Sequence, residues 1–328
     1  MIDVTDRHCR YFHRQLAPTA RLYTEMVTTG ALLYGQASRH LDFDPAEHPV
    51  ALQLGGSDPY DLARAARLGA QWGYDEINLN CGCPSDRVQQ GAFGACLMAE
   101  PLKVADCVRA MQDATSLPVT VKHRLGLDHE ESYDFVRDFV GILYEAGCRV
   151  FIVHARNAIL RGLSPRENRQ IPPLRPQYAH RLKADFPDAV IVLNGGLADV
   201  ASCLHWLEQL DGVMLGRAAW HHPDVLSQLH QALEPHSPLP AREEILETLL
   251  PYLARHHAQG VPMPILVRGL LGWHAGTKGA RKWRRMLSDP AILNRLGPQA
   301  VRHAWRALQP GLMARAGGLA SSAGQSRM

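Results

Sequence analysis

The 328-residue chain predicts an α/β fold, a parallel TIM (β/α)8 barrel followed by a small all-α helical bundle, and three observations carry that prediction. Short apolar runs of strand length alternate with amphipathic stretches as far as Gly216. The runs are nearly continuous in apolar residues, as in strands of a parallel sheet covered by helices. Polar groups and glycines gather where the runs end, which is where a barrel keeps its chemistry.

In chain order, strands are expected at Arg21–Val27, Pro49–Gly55, Glu76–Asn80, Pro118–Lys122, Val150–His154, Ala189–Asn194 and Gly212–Gly216. Helices are expected near Cys9–Gln15, Pro59–Trp72, Leu102–Ala114, Glu131–Ala146, Arg175–Asp185 and Val200–Leu210. Seven such strands over roughly 200 residues favour the barrel over an open doubly wound sheet. A barrel one strand short would leave two unpaired edges, so the first strand is expected to precede Met1. The catalytic barrel would occupy residues 1–233, and the proline-rich stretch 234–242 reads as a linker. Beyond it, Glu243–Ala258, Pro264–His274, Ala280–Leu287 and Leu293–Leu308 have helical spacing and form a basic helical domain over 243–310. Residues 311–328, rich in Gly, Ser and Ala, read as a disordered tail.

Composition narrows the function. The apolar share of 46% and charged share of 20% are those of an ordinary globular chain, with no apolar run of membrane-spanning length. Charges at Asp3, Asp6, Arg7 and Arg10 interrupt the start before a signal sequence can develop. Seven scattered cysteines fit a reducing compartment and a cytoplasmic location better than a disulfide framework. The net charge of +3 divides unevenly, −6 over residues 1–240 and +9 over 241–328, so the C-terminal part is a candidate surface for a polyanion.

The most informative stretch is Glu76–Arg87, a buried strand running into a tight polar turn in which Gly82 and Pro84 bracket Cys83. A cysteine is often simple core filler. Here Asn78, Asn80, Ser85, Asp86 and Arg87 crowd the same turn, which points to chemistry. The other strand ends carry Gln53, Lys122 with Arg124, His154 with Arg156, Asn194-Gly195-Gly196, and Gly216-Arg217. The glycines at the last two strands suit a phosphate held by backbone N–H groups. Lys122 suits the negative charge of a reduced flavin ring, and Gln53 its polar edge. No second cysteine pair accompanies Cys81-x-Cys83, so no metal is expected.

Those residues carry a resemblance. Asp6–Phe12, Leu22-Tyr23-Thr24-Glu25-Met26, Gln53-Leu54-Gly55-Gly56, Asn78-Leu79-Asn80-Cys81-Gly82-Cys83-Pro84-Ser85, Val121-Lys122-His123-Arg124, His154-Ala155-Arg156 and Asn194-Gly195-Gly196 resemble the tRNA-dihydrouridine synthases. Leu163–Arg169 with Ile171–Leu174 points to subfamily A. The resemblance implies an FMN enzyme that uses NADPH to reduce uridine to 5,6-dihydrouridine in the tRNA D loop, around positions 20 and 20a. It implies flavin binding by Met1, Gln53, Lys122, His154, Asn194, Gly195, Gly196, Gly216 and Arg217. Hydride reaches C6 of the uracil and Cys83 protonates C5, a thiol of ordinary pKa about 8.5 being mostly protonated at neutral pH. The nucleotide must be turned out of its stack, so RNA contacts should ring the mouth. Those expected are Asn80, Arg124, Arg156, Arg166 and Arg169, with Arg281, Lys282, Arg284 and Arg285 from the basic run around Trp283. Trp283 itself is expected to pack in the core, as is Cys81, which stands where the family usually has an apolar residue. A small-molecule flavin oxidoreductase of the dihydroorotate type shares the strand-end logic but not the need for a basic bundle. A non-catalytic tRNA-binding protein would not need Cys83, Lys122 and His154 together.

Overall fold

The structure is a computed structural model that describes residues 4–308. Seven strands run parallel in one sheet whose spatial order follows the sequence. They are β1 (Leu22–Thr28), β2 (Val50–Gly55), β3 (Glu76–Cys81), β4 (Val119–His123), β5 (Val150–His154), β6 (Val190–Asn194) and β7 (Gly212–Met214). Every residue of β2 and β3 is buried, so the polar residues that alternate with Ile77, Leu79 and Cys81 in β3 lie out of solvent as well. Filling the apolar positions with Leu52, Leu54, Ile77 and Leu79 is worth about 1.5–3 kcal/mol for each side chain.

Longer helices follow five of the strands, at Pro59–Gln71, Pro101–Ala114, Tyr133–Glu145, Gln177–Asp185 and Val200–Leu207, and short ones follow β1 at Thr29–Leu33 and Ala37–Leu41 and β7 at Arg217–His221. Their starts are written locally. Asp58, Ser132 and Asp199 each accept a hydrogen bond from a backbone N–H of the first turn, a cap worth about 1 kcal/mol. Gly73 and Gly147 follow two of the helices at φ 87° and 98°, where a side chain would be strained. Gly69 serves packing instead: a Cβ there would lie 2.6 Å from Ile77 and 2.8 Å from Leu52. The helix thereby seats directly on β2, which carries Gln53, and on β3, which leads into the Cys83 turn.

The chain divides into two compact units, Met1–Arg14 with Thr19–Ala218, and Gln15–Pro18 with Ala219–Met328. The first holds the sheet. From Ala219 onward the described elements are helical, at Asp224–Leu233, Arg242–Ala258, Met263–Val267, Ala280–Leu287, Pro290–Leu296 and Gln299–Arg306, with a 3₁₀ turn at Arg268–Gly272. Two sequence expectations need correction here. The helix expected over Leu293–Leu308 is two helices, because Gly297 takes φ 51° and Pro298 begins the next. The helix expected over Pro264–His274 winds down into the 3₁₀ turn and stops before His274, which sits at φ 73°. Trp283 packs as expected: it is fully buried, its Nε1 donates to Leu270 O at 2.7 Å, and its ring meets Trp273 edge-on at 5.8 Å. The expected tail over 311–328 lies outside the described residues.

Candidate active site

Parallel register brings the polar strand-end residues side by side. Gln53 pairs with Asn78, Asn78 with Thr120, Asn80 with Lys122, His154 with Asn194, and Asn194 with Met214. Side chains on neighbouring strands at one level point to one face, so residues distant in sequence share the interior of the sheet. Gln53 Nε2 donates to Asn78 Oδ1 and Asn80 Nδ2 donates to Gln53 Oε1, both at 2.8 Å.

The cysteine turn hangs from this row. Asn80 Oδ1 accepts from Gly82 N at 3.0 Å and from Cys83 N at 2.9 Å. On its other side Cys83 O accepts from Ala95 N at 2.9 Å. A Cβ at Gly94, held at φ 75°, would stand 2.6 Å from that carbonyl, so only glycine lets the following segment close on the turn. Cys83 is half-buried with Sγ 3.5 Å from Ser85 Oγ. Lys122, Arg124 and Arg169 all lie close enough for a thiolate at Cys83 to stabilise their charged forms. Cys81 is fully buried, and burial raises its thiol pKa well above the ordinary range.

On the neighbouring strand, Lys122 Nζ donates to Asn194 Oδ1 at 2.9 Å, and Asn194 Nδ2 donates to Met214 O at 2.7 Å. Burial and then the nearby Arg124 push the Lys122 ammonium down to about 7. The His154 imidazole is driven well below its ordinary value by burial and by Arg124, Lys122, Arg156 and Arg217 in turn. All four neighbours are cations, so the pocket carries a positive field suited to an anion. Gly195 and Gly196 sit at φ 101° and 75° beside it. A Cβ would come within 2.7 Å of His154 Cδ2 at the first and 2.3 Å of Leu174 Cδ2 at the second. These residues form a cradle that any side chain would fill.

The long segment after β5 is organised by two asparagines, Asn157 and, within the Leu163–Arg169 motif, Asn168. Asn168 is fully buried; its Oδ1 accepts from Ile159 N at 2.7 Å and its Nδ2 donates to Ile159 O at 2.9 Å. Asn157 donates to Glu130 O at 2.7 Å. Ser164 and Glu167 close a reciprocal turn, Ser164 N and Oγ donating to the carboxylate at 2.8 and 2.7 Å. That turn leaves Arg166 exposed and Arg169 half-buried. Arg217 donates to Arg169 O at 2.9 Å, tying the segment to the end of β7. Arg156 donates to Gln170 O and Pro172 O.

Arg124 is placed differently from the sequence expectation. It is 3% exposed and spans Gly82 O at 3.1 Å, Asn157 O at 3.1 Å and Asn168 O at 2.9 Å. With three of its five N–H groups on backbone carbonyls, this buried guanidinium clamps the cysteine turn to the long segment and stands away from solvent. In the second unit, Lys278, Arg281, Lys282, Arg284 and Arg285 are all exposed around the buried Trp283. Met1 lies outside the described residues. Among the described residues no three His, Cys, Asp or Glu side chains gather to hold a metal ion, and no helix is long and apolar enough to cross a membrane.

Cations facing no carboxylate, a glycine cradle and an accessible thiol at the ends of parallel strands suit a ring-and-phosphate cofactor. The class they define is a flavin oxidoreductase on a TIM-barrel-like sheet. The fold agrees with a solved morphinone reductase, which superimposes with a TM-score of 0.52 at 13% identity over 74% of this chain and 85% of that one. Residues 1–307 match the family described as "Dihydrouridine synthase (Dus)", and the chain belongs to that family of flavin-dependent enzymes. Proteins called tRNA-dihydrouridine(20/20a) synthase are similar throughout. The one from Pseudomonas putida is 57% identical over 88% of this chain and 86% of its own length. That from Xanthomonas campestris is 54% identical over 93% and 90%, and that from Synechocystis is 50% identical over 95% and 94%.

Proposed function

We propose that the protein uses FMN and NADPH to reduce uridine to dihydrouridine in the tRNA D loop, around positions 20 and 20a, with Cys83 as proton donor, in the cytoplasm. The single observation that carries the reading is the Cys83 turn, suspended from Asn80 and within electrostatic reach of Lys122 on the neighbouring strand. The chemistry sits on a (β/α)8 barrel, and the helical unit supplies the basic tRNA-binding face.

The residues present fit an FMN. The cradle at Gly195 and Gly196 admits a phosphate close to backbone, with His154, Gly216 and Arg217 around it and without a carboxylate among the groups acting on His154. Gln53 and Lys122 would hold the ring. A bound flavin supplies the hydride that ends on C6 of the uracil. The chain's own task is the proton. Cys83 Sγ–H gives its proton to C5 as the C5–C6 double bond closes into a single bond, and the sulfur keeps the S–H electron pair. The thiolate left behind lies near Lys122, Arg124 and Arg169 and regains a proton from solvent. Asn80 has a second amide N–H for the target base beyond the one given to Gln53. Arg156, Arg166 and Arg169 at the mouth, and Arg281, Lys282, Arg284 and Arg285 on the helical unit, meet RNA phosphates.

Replacing Cys83 by Ala tests the assignment. The variant should keep its flavin and its oxidation of NADPH while uridine reduction falls by 10²–10⁴-fold, the range of a lost general acid. Loss of the flavin in that variant would mean that the cysteine is structural.

A further inference from the structure

A single hydrogen-bonded row crosses the interior of the sheet from its far end to the cysteine turn. Glu76, at the start of β3, is 3% exposed and accepts from Arg21 at 2.6 Å and from Tyr23 Oη at 2.9 Å. Thr120 Oγ1 donates to Glu76 Oε1 at 2.7 Å and accepts from Asn78 Nδ2 at 2.7 Å. Asn78 Oδ1 accepts from Gln53, Gln53 Oε1 accepts from Asn80, and Asn80 Oδ1 accepts from Gly82 N and Cys83 N. Asn78 and Thr120 are fully buried, and Gln53 and Asn80 are each 8% exposed.

The row has a direction. A carboxylate only accepts, so the lone hydroxyl proton of Thr120 is spent on Glu76 and its oxygen must accept from Asn78. That leaves the Asn78 carbonyl facing Gln53, the Gln53 carbonyl facing Asn80, and the Asn80 carbonyl facing the turn. At the other end the two backbone N–H groups only donate, so the row is consistent only in this sense. Turning any one amide over would set N–H against N–H, leaving buried donors unpaired at a cost of about 1–3 kcal/mol each.

We infer that Glu76 and Thr120 are positioning residues for Cys83, fixing through Asn78, Gln53 and Asn80 the amide orientation from which the cysteine turn hangs. Their link to catalysis rests on the proton-donor reading of Cys83, whereas their hold on the turn does not. Without the Thr120 hydroxyl the Asn78 amide N–H loses its acceptor, the row is held in its sense from the turn end alone, and the turn loosens.

The test compares Thr120→Val, which keeps the shape and removes the hydroxyl, with Thr120→Ser, which restores it, and with Glu76→Gln. The turn is read directly, without flavin chemistry, by the rate at which iodoacetamide alkylates Cys83 relative to Cys96, both half-buried, resolved by peptide mass spectrometry. Thr120→Val and Glu76→Gln should speed Cys83 alkylation about five- to tenfold, the worth of one buried hydrogen bond, while Thr120→Ser stays at the wild-type rate. In the holoenzyme the first two should lose a comparable factor in kcat for tRNA reduction. Thr120→Ser should restore kcat. Equal alkylation rates in Thr120→Val, Glu76→Gln and wild type would overturn the inference, as would an equal defect in Thr120→Ser and Thr120→Val. Faster alkylation with unchanged kcat would leave the positioning intact and remove the proton-donor reading instead.

Discussion

Replacing Gly195 by alanine should weaken both the fold and its grip on a flavin, for two separable reasons. The backbone at Gly195 has φ 101°, a conformation that costs a residue bearing Cβ about 1–3 kcal/mol. The new methyl would also stand 2.7 Å from His154 Cδ2 and 3.2 Å from its Nε2, so the imidazole must move. The first cost falls on the protein without cofactor and should lower its melting temperature by several degrees. The second falls on the pocket. A displaced His154 would no longer meet the phosphate proposed to lie beside it, and a lost hydrogen bond to a charged group is worth about 1.5–3 kcal/mol, or roughly 10- to 100-fold in Kd. Thermal unfolding of the flavin-free protein reads the first, and titration with FMN followed by fluorescence quenching reads the second. Gly30→Ala is the control: that glycine is helical, without a positive φ, and has nothing within 4 Å of a Cβ, so the exchange should be neutral or slightly stabilising. A Gly195→Ala protein with wild-type melting temperature and wild-type Kd would refute the cradle.

The pH dependence of stability and the salt dependence of tRNA binding give two further outcomes. Lys122 is held at about 7 against an ordinary 10.5. Between those values the unfolded chain therefore carries a proton that the folded one lacks, and the flavin-free protein gains stability as pH rises, by up to about 1.4 kcal/mol per unit. Urea unfolding at pH 7 and 9 should show this slope, and Lys122→Met should remove it. Replacing Arg281, Arg284 and Arg285 together by alanine should weaken tRNA binding and make its log–log dependence on salt shallower by about two to three, measured by filter binding between 50 and 200 mM salt.

The strands were legible as short apolar-rich runs bounded by turn residues, and the helices between them because one face stays wet. Every strand edge except the end of β7 falls within a residue of the sequence reading. The gathering of Gln53, Asn80, Cys83, Lys122, His154 and Asn194 followed from one rule about parallel strands. What stayed hidden was pairing between elements. Thr120 reads as a strand filler and Glu76 as a charge at a strand's start, since nothing local shows that they meet across β3 and β4. Arg124 sits beside Lys122 in sequence and looks equally available, yet its three carbonyl partners come from Gly82, Asn157 and Asn168. The partners of Asn157 and Asn168 were hidden for the same reason. Gly297-Pro298 is a different case, since that pair does signal a break and the helical periodicity on either side obscured it.

The most direct measurement is an anaerobic visible spectrum of the flavin-loaded protein, taken after adding NADPH and then tRNA that lacks dihydrouridine. The predicted result is bleaching of the flavin by NADPH and return of its oxidised colour on adding tRNA, with free uridine giving no comparable return. A flavin that stays bleached with tRNA, or that reoxidises as readily with a free pyrimidine, would contradict the assignment of tRNA uridine as the substrate.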